Sequence, residues 1–99
     1  MFRHVVILGW KDGTTAEQRA TVVARLHTLP GKIPAIRSYV VGENAGVDPG
    51  TADLAIVADF DDVAGYVTYR DHPDHQTVIR EVIAPIISTR MAIQHIVAG

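Results

Sequence analysis

Between Tyr69 and His75 the chain reads Tyr-Arg-Asp-His-Pro-Asp-His. A phenol and two imidazoles, all able to give or take a proton, crowd this short span. Pro73 stands between the histidines. The residue before a proline is driven out of the α region, and proline is well tolerated at the first position of a helix. The sequence therefore predicts a helix ending near Asp71, a break at His72 and a new helix from Pro73. His75 falls in the first turn of that helix, where the macrodipole disfavours an imidazolium. A neutral imidazole near pH 7 is the form a general base needs. One reading gives His75 a proton from a carbon next to a carbonyl. Tyr69 then hydrogen-bonds to the oxygen that gains charge, or relays the proton. The other reading is structural: His72 and Tyr69 secure the helix break through backbone hydrogen bonds, and His75 caps.

His4 shares a strand face with Val6 and Leu8. A lone histidine in such company is more often a hydrogen-bonded core residue than a catalyst. If the first strand lies beside the last, which carries His95, the two imidazoles could approach and share one site. Imidazoles at His72 and His75, with His4 or His95, would suit zinc, copper or iron. Against this, Pro73 takes His72 out of helical geometry, and no carboxylate is placed to complete a ligand set. The expectation is no metal and no cofactor. Capping and solvation account for Asp59, Asp61 and Asp62. Ser38 and Ser88 have no nucleophile elbow around them. Gly42, Gly46 and Gly50 form no phosphate-binding pattern.

What positions these residues must be built from 99 residues, a length that fits one domain spanning 1–99. The chain is 47% hydrophobic and 20% charged, with a formal net charge of −2 and both signs scattered. No basic run suggests nucleic acid as a partner. The absence of cysteine removes disulfides, thiolate metal sites and a cysteine nucleophile, and it fits a cytoplasmic protein. No apolar stretch is long enough to span a bilayer, and Met1-Phe2-Arg3-His4 lacks a signal-peptide layout, so no membrane partner is expected. A small chain with this much apolar surface can hide part of it against a second copy.

Phe2 to Leu8 reads as a strand with Phe2, His4, Val6 and Leu8 on one face and Arg3, Val5 and Ile7 on the other. Both faces are largely apolar, which predicts a central strand covered on both sides. Thr14-x-x-Glu17 has the form of a capping box, opening a helix that runs to about Leu29 and is stopped by Pro30-Gly31. Ile36 to Val41 and Asp53 to Phe60 read as strands, separated by a surface loop over Glu43 to Thr51. Asp61 or Asp62 caps a short helix bearing Val63, Tyr66 and Val67. After the break, a second piece carries Val78, Ile79, Val82, Ile83 and Ile86, and Pro85 should kink or end it. Arg90 to Val97 is the last strand. The order β-α-β-β-α-β predicts an α+β ferredoxin-like sandwich, an antiparallel sheet with both helices on one face. Val5, Ile7, Ala55 and Val57 are left on the other sheet face, and an apolar face of that kind meets a partner.

Several motifs resemble one family in order along the whole chain. Arg3-His4-Val5-Val6-Ile7-Leu8 with Trp10-Lys11-Asp12-Gly13 is similar to the opening of the Dabb domains, the stress-responsive dimeric α/β barrels. Ile33-Pro34-Ala35-Ile36, Asp53 to Phe60, Tyr69-x-x-His72-Pro73-x-His75, Pro85 and Arg90 fit the same pattern. The resemblance implies a homodimer whose two sheets pack face to face into a barrel. It implies less about activity. A plant polyketide cyclase of this family closes a linear polyketide by aldol condensation, and its acid/base tyrosine and histidine correspond by motif to Tyr69 and His75. His4, Lys11 and His72 also match its motifs; with His95 they are the candidate substrate-binding residues. The chain departs from the family where Gln94-His95 replaces the frequent Asp-Tyr, and where Gly9 replaces a frequent lysine. The expectation is a small-molecule-binding stress-responsive barrel, with cofactor-free acid/base catalysis of the polyketide cyclase kind as its sharpest form. The alternatives are a non-enzymatic stress-protective homodimer and a haem- or oxygen-using monooxygenase. A hollow beneath Tyr69 and His75 favours the first, a solid core there the second, and one histidine facing an open flat cleft the third.

Overall fold

Strand β1, Phe2–Trp10, is the spine of the sheet. In the computed structural model, which describes residues 1–98, it pairs antiparallel with β3, Leu54–Phe60, on one side and with β4, Ile87–Ile96, on the other. Strand β2, Ser38–Glu43, closes the far edge against β3, so the strand order is β2-β3-β1-β4. Helices α1 (Ala16–His27) and α2 (Val63–Asp71) pack on the sheet, and α3 (Pro73–Val78) packs against both helices, giving the expected ferredoxin-like α+β fold.

Alternation along the strands sorts the side chains between two faces. On the helix side, His4, Val6 and Leu8 of β1 lie buried with Leu54, Ile56, Ala58 and Phe60 of β3. Val22 and Leu26 of α1, together with Leu29 and Ile33 beyond it, close over them. On the opposite face the register aligns Val40, Val57, Val5 and Ile93 across all four strands, with Ala55, Ile7 and Met91 as the next row. Val40, Ile93 and Met91 are exposed there. Arg3 and Asp59 sit opposite each other on the same face and pair at 2.7 Å.

Local chemistry moved some boundaries. The box that opens α1 is Thr15 with Gln18, not Thr14 with Glu17: the Gln18 amide donates to the Thr15 hydroxyl at 3.1 Å, and Gln18 Oε1 accepts from the Thr15 N–H at 2.8 Å. Thr14 instead donates its hydroxyl to the Lys11 carbonyl at 2.7 Å within the turn. Strand β2 begins two residues later than Ile36, because the Ile36 N–H bonds the Ile33 carbonyl in a turn. Strand β4 begins earlier than Arg90, at Ile87, which pairs with Trp10 across a register shift at Gly9/Trp10. Pro85 is preceded by a π-helical segment, Ile79–Ile83, in which the Ala84 N–H reaches back to the Ile79 carbonyl at 2.8 Å.

Candidate functional site

His72 forms the helix break as the sequence requires. Its backbone is extended, with φ −63° and ψ 133°, and Pro73 opens α3. Its Nδ1 accepts the Asp74 N–H at 3.1 Å, so the ring is an N-cap. Asp62 caps α2 in the same way, accepting from the Gly65 N–H at 2.9 Å.

The break hangs α2 and α3 over the sheet and leaves a cavity of about 270 Å³ beneath them. Val6, Leu8 and Ile56 form its floor, Leu26 one side, and Ile79, Ile83, Ala84 and Ile87 the apolar remainder. His4, Tyr66, Tyr69, Arg70, His75, Gln76 and Arg90 supply its polar atoms. A π turn inside a helix commonly marks a functional site, and here it furnishes part of the wall. A shallower groove of about 450 Å³ runs past Thr15, Gln18, Glu81 and Pro85, where Glu81 is already paired with Arg25.

His75 Nδ1 lies 3.1 Å from the Arg70 carbonyl. A carbonyl only accepts, so the ring proton sits on Nδ1 and Nε2 keeps its lone pair. Gln76 donates its side-chain amide to the same oxygen at 2.6 Å. The imidazole lies against the Tyr69 ring, centroids 4.0 Å apart. Its pKa is lowered, first by burial; the Arg70 carbonyl opposes the shift, and the charges of His72 and Arg90 add to it. The ring is therefore a neutral base at pH 7.

Tyr69 is 2% exposed, and its hydroxyl lies 2.9 Å from that of Tyr39 on β2. Burial raises both phenol pKa values, that of Tyr39 to about 12 and that of Tyr69 further. Both stay neutral and act as hydrogen-bonding groups. One O–H of the pair is spent between them, and the other remains to donate.

His4 is buried, packed against Tyr66 with centroids 4.8 Å apart, and the Gln94 amide nitrogen lies 2.7 Å from its Nδ1. That amide can only donate, so His4 carries its proton on Nε2. Burial, then the charges of Arg90 and His75, push its pKa down to about 4.

The cavity thus joins Tyr69, His75 and His4. The other three candidates lie outside it. The register that would bring His4 to His95 is not the one formed: His4 opposes Gln94, and His95 opposes Arg3 on the outer face. Lys11 lies in a separate shallow groove with Asp12 and Thr14, its ammonium 3.5 Å from the Pro85 carbonyl. His72 is occupied in capping. Among the described residues no three His, Asp or Glu side chains stand close enough to hold a metal ion. The sequence did not mark Tyr39, Tyr66 or Arg90 as site residues, and it marked Gln94 only as a departure from the family pattern. Tyr39 and Val41 alternate toward the helix side of β2, opposite Ala58 and Ile56, a weak signal that becomes useful only with the register.

An antiparallel β2-β3-β1-β4 sheet with helices on one face, and a cavity of imidazoles and phenols between them, define a ferredoxin-like α+β domain. The pattern of the Stress responsive A/B Barrel Domain, or Dabb, matches residues 2–97, and the chain belongs to that family. A dimeric ferredoxin-like protein of unknown function from Thermobifida fusca is 36% identical, with 97% of this chain and 90% of that one covered and a TM-score of 0.90. A Dabb family protein from Mesorhizobium loti is 20% identical, covering 99% and 97%, with a TM-score of 0.81. A hydroxynitrile lyase from Passiflora edulis shares the fold at 19% identity, covering 98% and 93%, with a TM-score of 0.84. No curated protein matches the chain in sequence.

Proposed function

We propose that the cavity under the helix break binds a small carbonyl compound and that neutral His75 is its general base, without a cofactor, in chemistry of the polyketide cyclase kind. The observation that supports this is the Nδ1–H bond to the Arg70 carbonyl, which leaves Nε2 as the basic atom of a cavity-lining ring. Nε2 takes a proton from the carbon beside the carbonyl, and the C–H electron pair moves through carbon to oxygen, giving an enolate. The free O–H of the Tyr39–Tyr69 pair hydrogen-bonds to that oxygen. The enolate carbon then attacks a second carbonyl, and the imidazolium returns its proton to the new alkoxide. Nothing leaves, so atoms and charge balance.

The proposal includes a homodimer. The apolar outer sheet face supports it, and so does the dimeric description of the Thermobifida fusca relative. Residues 1–99 would act as one domain in a cytoplasmic setting. No helix of the described chain is long and apolar enough to cross a membrane.

The test is proton exchange in heavy water. With 2-hexanone as probe, wild-type protein should speed deuterium uptake beside the carbonyl, read by NMR. His75→Ala should lose most of the effect, since general bases contribute typically ~10²–10⁴-fold. Tyr69→Phe combined with His75→Ala should be little worse than the worse single variant. Equal exchange by wild type and His75→Ala would refute the reading. A second reading, a non-enzymatic protective dimer, is favoured by the structural work that His72 and His75 do at the helix ends. It takes first place if His75→Ala unfolds the protein and no probe binds.

A further inference from the structure

The polar wall of the cavity has an uneven charge. Its lining contains two guanidiniums and no carboxylate. Arg70 is satisfied by its neighbour Asp71 at 2.9 Å. Arg90, on β4 opposite Leu8, takes part in no ion pair among the described residues. The imidazoles cannot balance or share its role: both are held neutral, and its positive charge is one reason. Leu8, across the strand ladder from it, joins Ile83 and Ile87 in giving the same cavity apolar surface.

We infer that Arg90 is the anchor for a carboxylate, and that the ligand of this cavity is a small carboxylic acid with an apolar body. This rests on the cavity being the ligand site proposed above, and it adds the class of ligand. A guanidinium presents paired N–H donors that match a carboxylate in two parallel hydrogen bonds. A single unpaired cation suits a monoanion better than a phosphate dianion. The cavity volume of about 270 Å³ sits at the small end for ligand pockets, in keeping with a short acyl or ring-bearing acid. The lining supplies no competing anion, and Arg70 is already paired with Asp71, so Arg90 is the unpaired cation a carboxylate would meet. In the proton-transfer reading, Arg90 is then a specificity-determining residue that sets which end of the substrate faces His75.

The experiment compares hexanoate with its uncharged isostere hexanamide by calorimetric titration and by the NMR shifts of the His75 ring, at low and high salt. Wild-type protein should bind hexanoate about tenfold or more tightly than hexanamide, because charge-assisted hydrogen bonds are roughly twice as strong as neutral ones. The preference should shrink in high salt. Arg90→Gln should bind both alike, and Arg90→Lys should keep part of the preference. The Arg90 side chain is exposed and makes no hydrogen bond among those of the described residues, so these variants should fold; circular dichroism checks this. His75→Asn should retain the preference, since the base is not the anchor. Equal binding of the two probes by wild type, an undiminished preference in Arg90→Gln, or no binding of either probe would each overturn the inference. If hexanoate preference holds while ketone exchange fails, the proton-transfer reading falls and the anchor stands. If exchange holds without that preference, the anchor falls alone.

Discussion

Removing one hydroxyl from the Tyr39–Tyr69 pair should cost more than removing both, per hydroxyl lost. The two oxygens lie 2.9 Å apart, and Tyr69 is 2% exposed while Tyr39 is half-buried. Leaving a buried polar atom without its partner costs about 1–3 kcal/mol, and replacing both partners with apolar groups is far cheaper. Tyr39→Phe strands the more buried hydroxyl, so its cost falls in the upper part of that range, about 2–3 kcal/mol. Tyr69→Phe strands the half-buried one, for about 1–1.5 kcal/mol. The Tyr69 ring keeps its contacts with Phe60 and His75, at centroid distances of 5.3 and 4.0 Å, so packing loss is small. The double variant should recover part of the sum, with a coupling of about 1 kcal/mol or more. Thermal unfolding reads this well, since ~1 kcal/mol shifts Tm by roughly 4–8 °C in a domain of this size. Protein concentration must be fixed across variants, because association is linked to stability. Costs that simply add, or a double variant worse than the sum, would mean that the hydroxyls are not a buried pair and that the O–H assigned to the enolate has another partner.

The remaining tests concern acid and assembly. His4 has a folded pKa of about 4 against 6.5 when unfolded, so as pH falls the unfolded chain takes up the proton first. The stability this confers is complete above pH 6.5, declines below it and is gone below pH 4. Its full size is about 3 kcal/mol, and His4→Gln should flatten that limb of a urea-unfolding series against pH. An unchanged slope would place the acid sensitivity elsewhere. Ile7 stands between Ala55 and Met91 on the outer sheet face. Ile7→Lys would bury an unpaired charge at the proposed homodimer interface, raising the dissociation constant on the order of 10²-fold. Sedimentation at low micromolar concentration should show dimer for wild type and monomer for the variant; a wild-type monomer would refute the barrel assembly.

Strand faces were legible because alternation needs no tertiary knowledge: His4, Val6 and Leu8 turn inward together. The break at His72 was legible because proline constrains its own φ and its predecessor's ψ. Whether His4 meets His95 turns on a single quantity, the register of β4 against β1. Side chains alternate along a strand, so a register shifted by one residue exchanges Gln94 for His95 as the partner of His4. The capping box slipped because Thr14-x-x-Glu17 and Thr15-x-x-Gln18 satisfy the same pattern, and only the turn at Lys11 distinguishes them. Tyr39 was missed because its importance lies in a hydroxyl of another element, and local sequence carries no sign of that meeting.

The π turn at Ile79–Ile83 makes the hollow adjustable by a change of chain length alone. A π turn holds one residue more than the α-helix it interrupts. Loss of a single residue there, such as the exposed Arg80, would let the segment relax into α geometry. The chain on either side would keep its mutual orientation, because the Ala84–Ile79 turn would close as an ordinary α turn once the extra residue is gone. Ile79 and Ile83, which now face the hollow, would stand three apart on an α-helix and still share a face, but the wall they form would be one residue narrower. The sheet and its register would be untouched, since β4 begins beyond Pro85 at Ile87. Relatives that differ by one codon in this stretch are therefore predicted to differ in the volume they enclose while sharing every strand pairing.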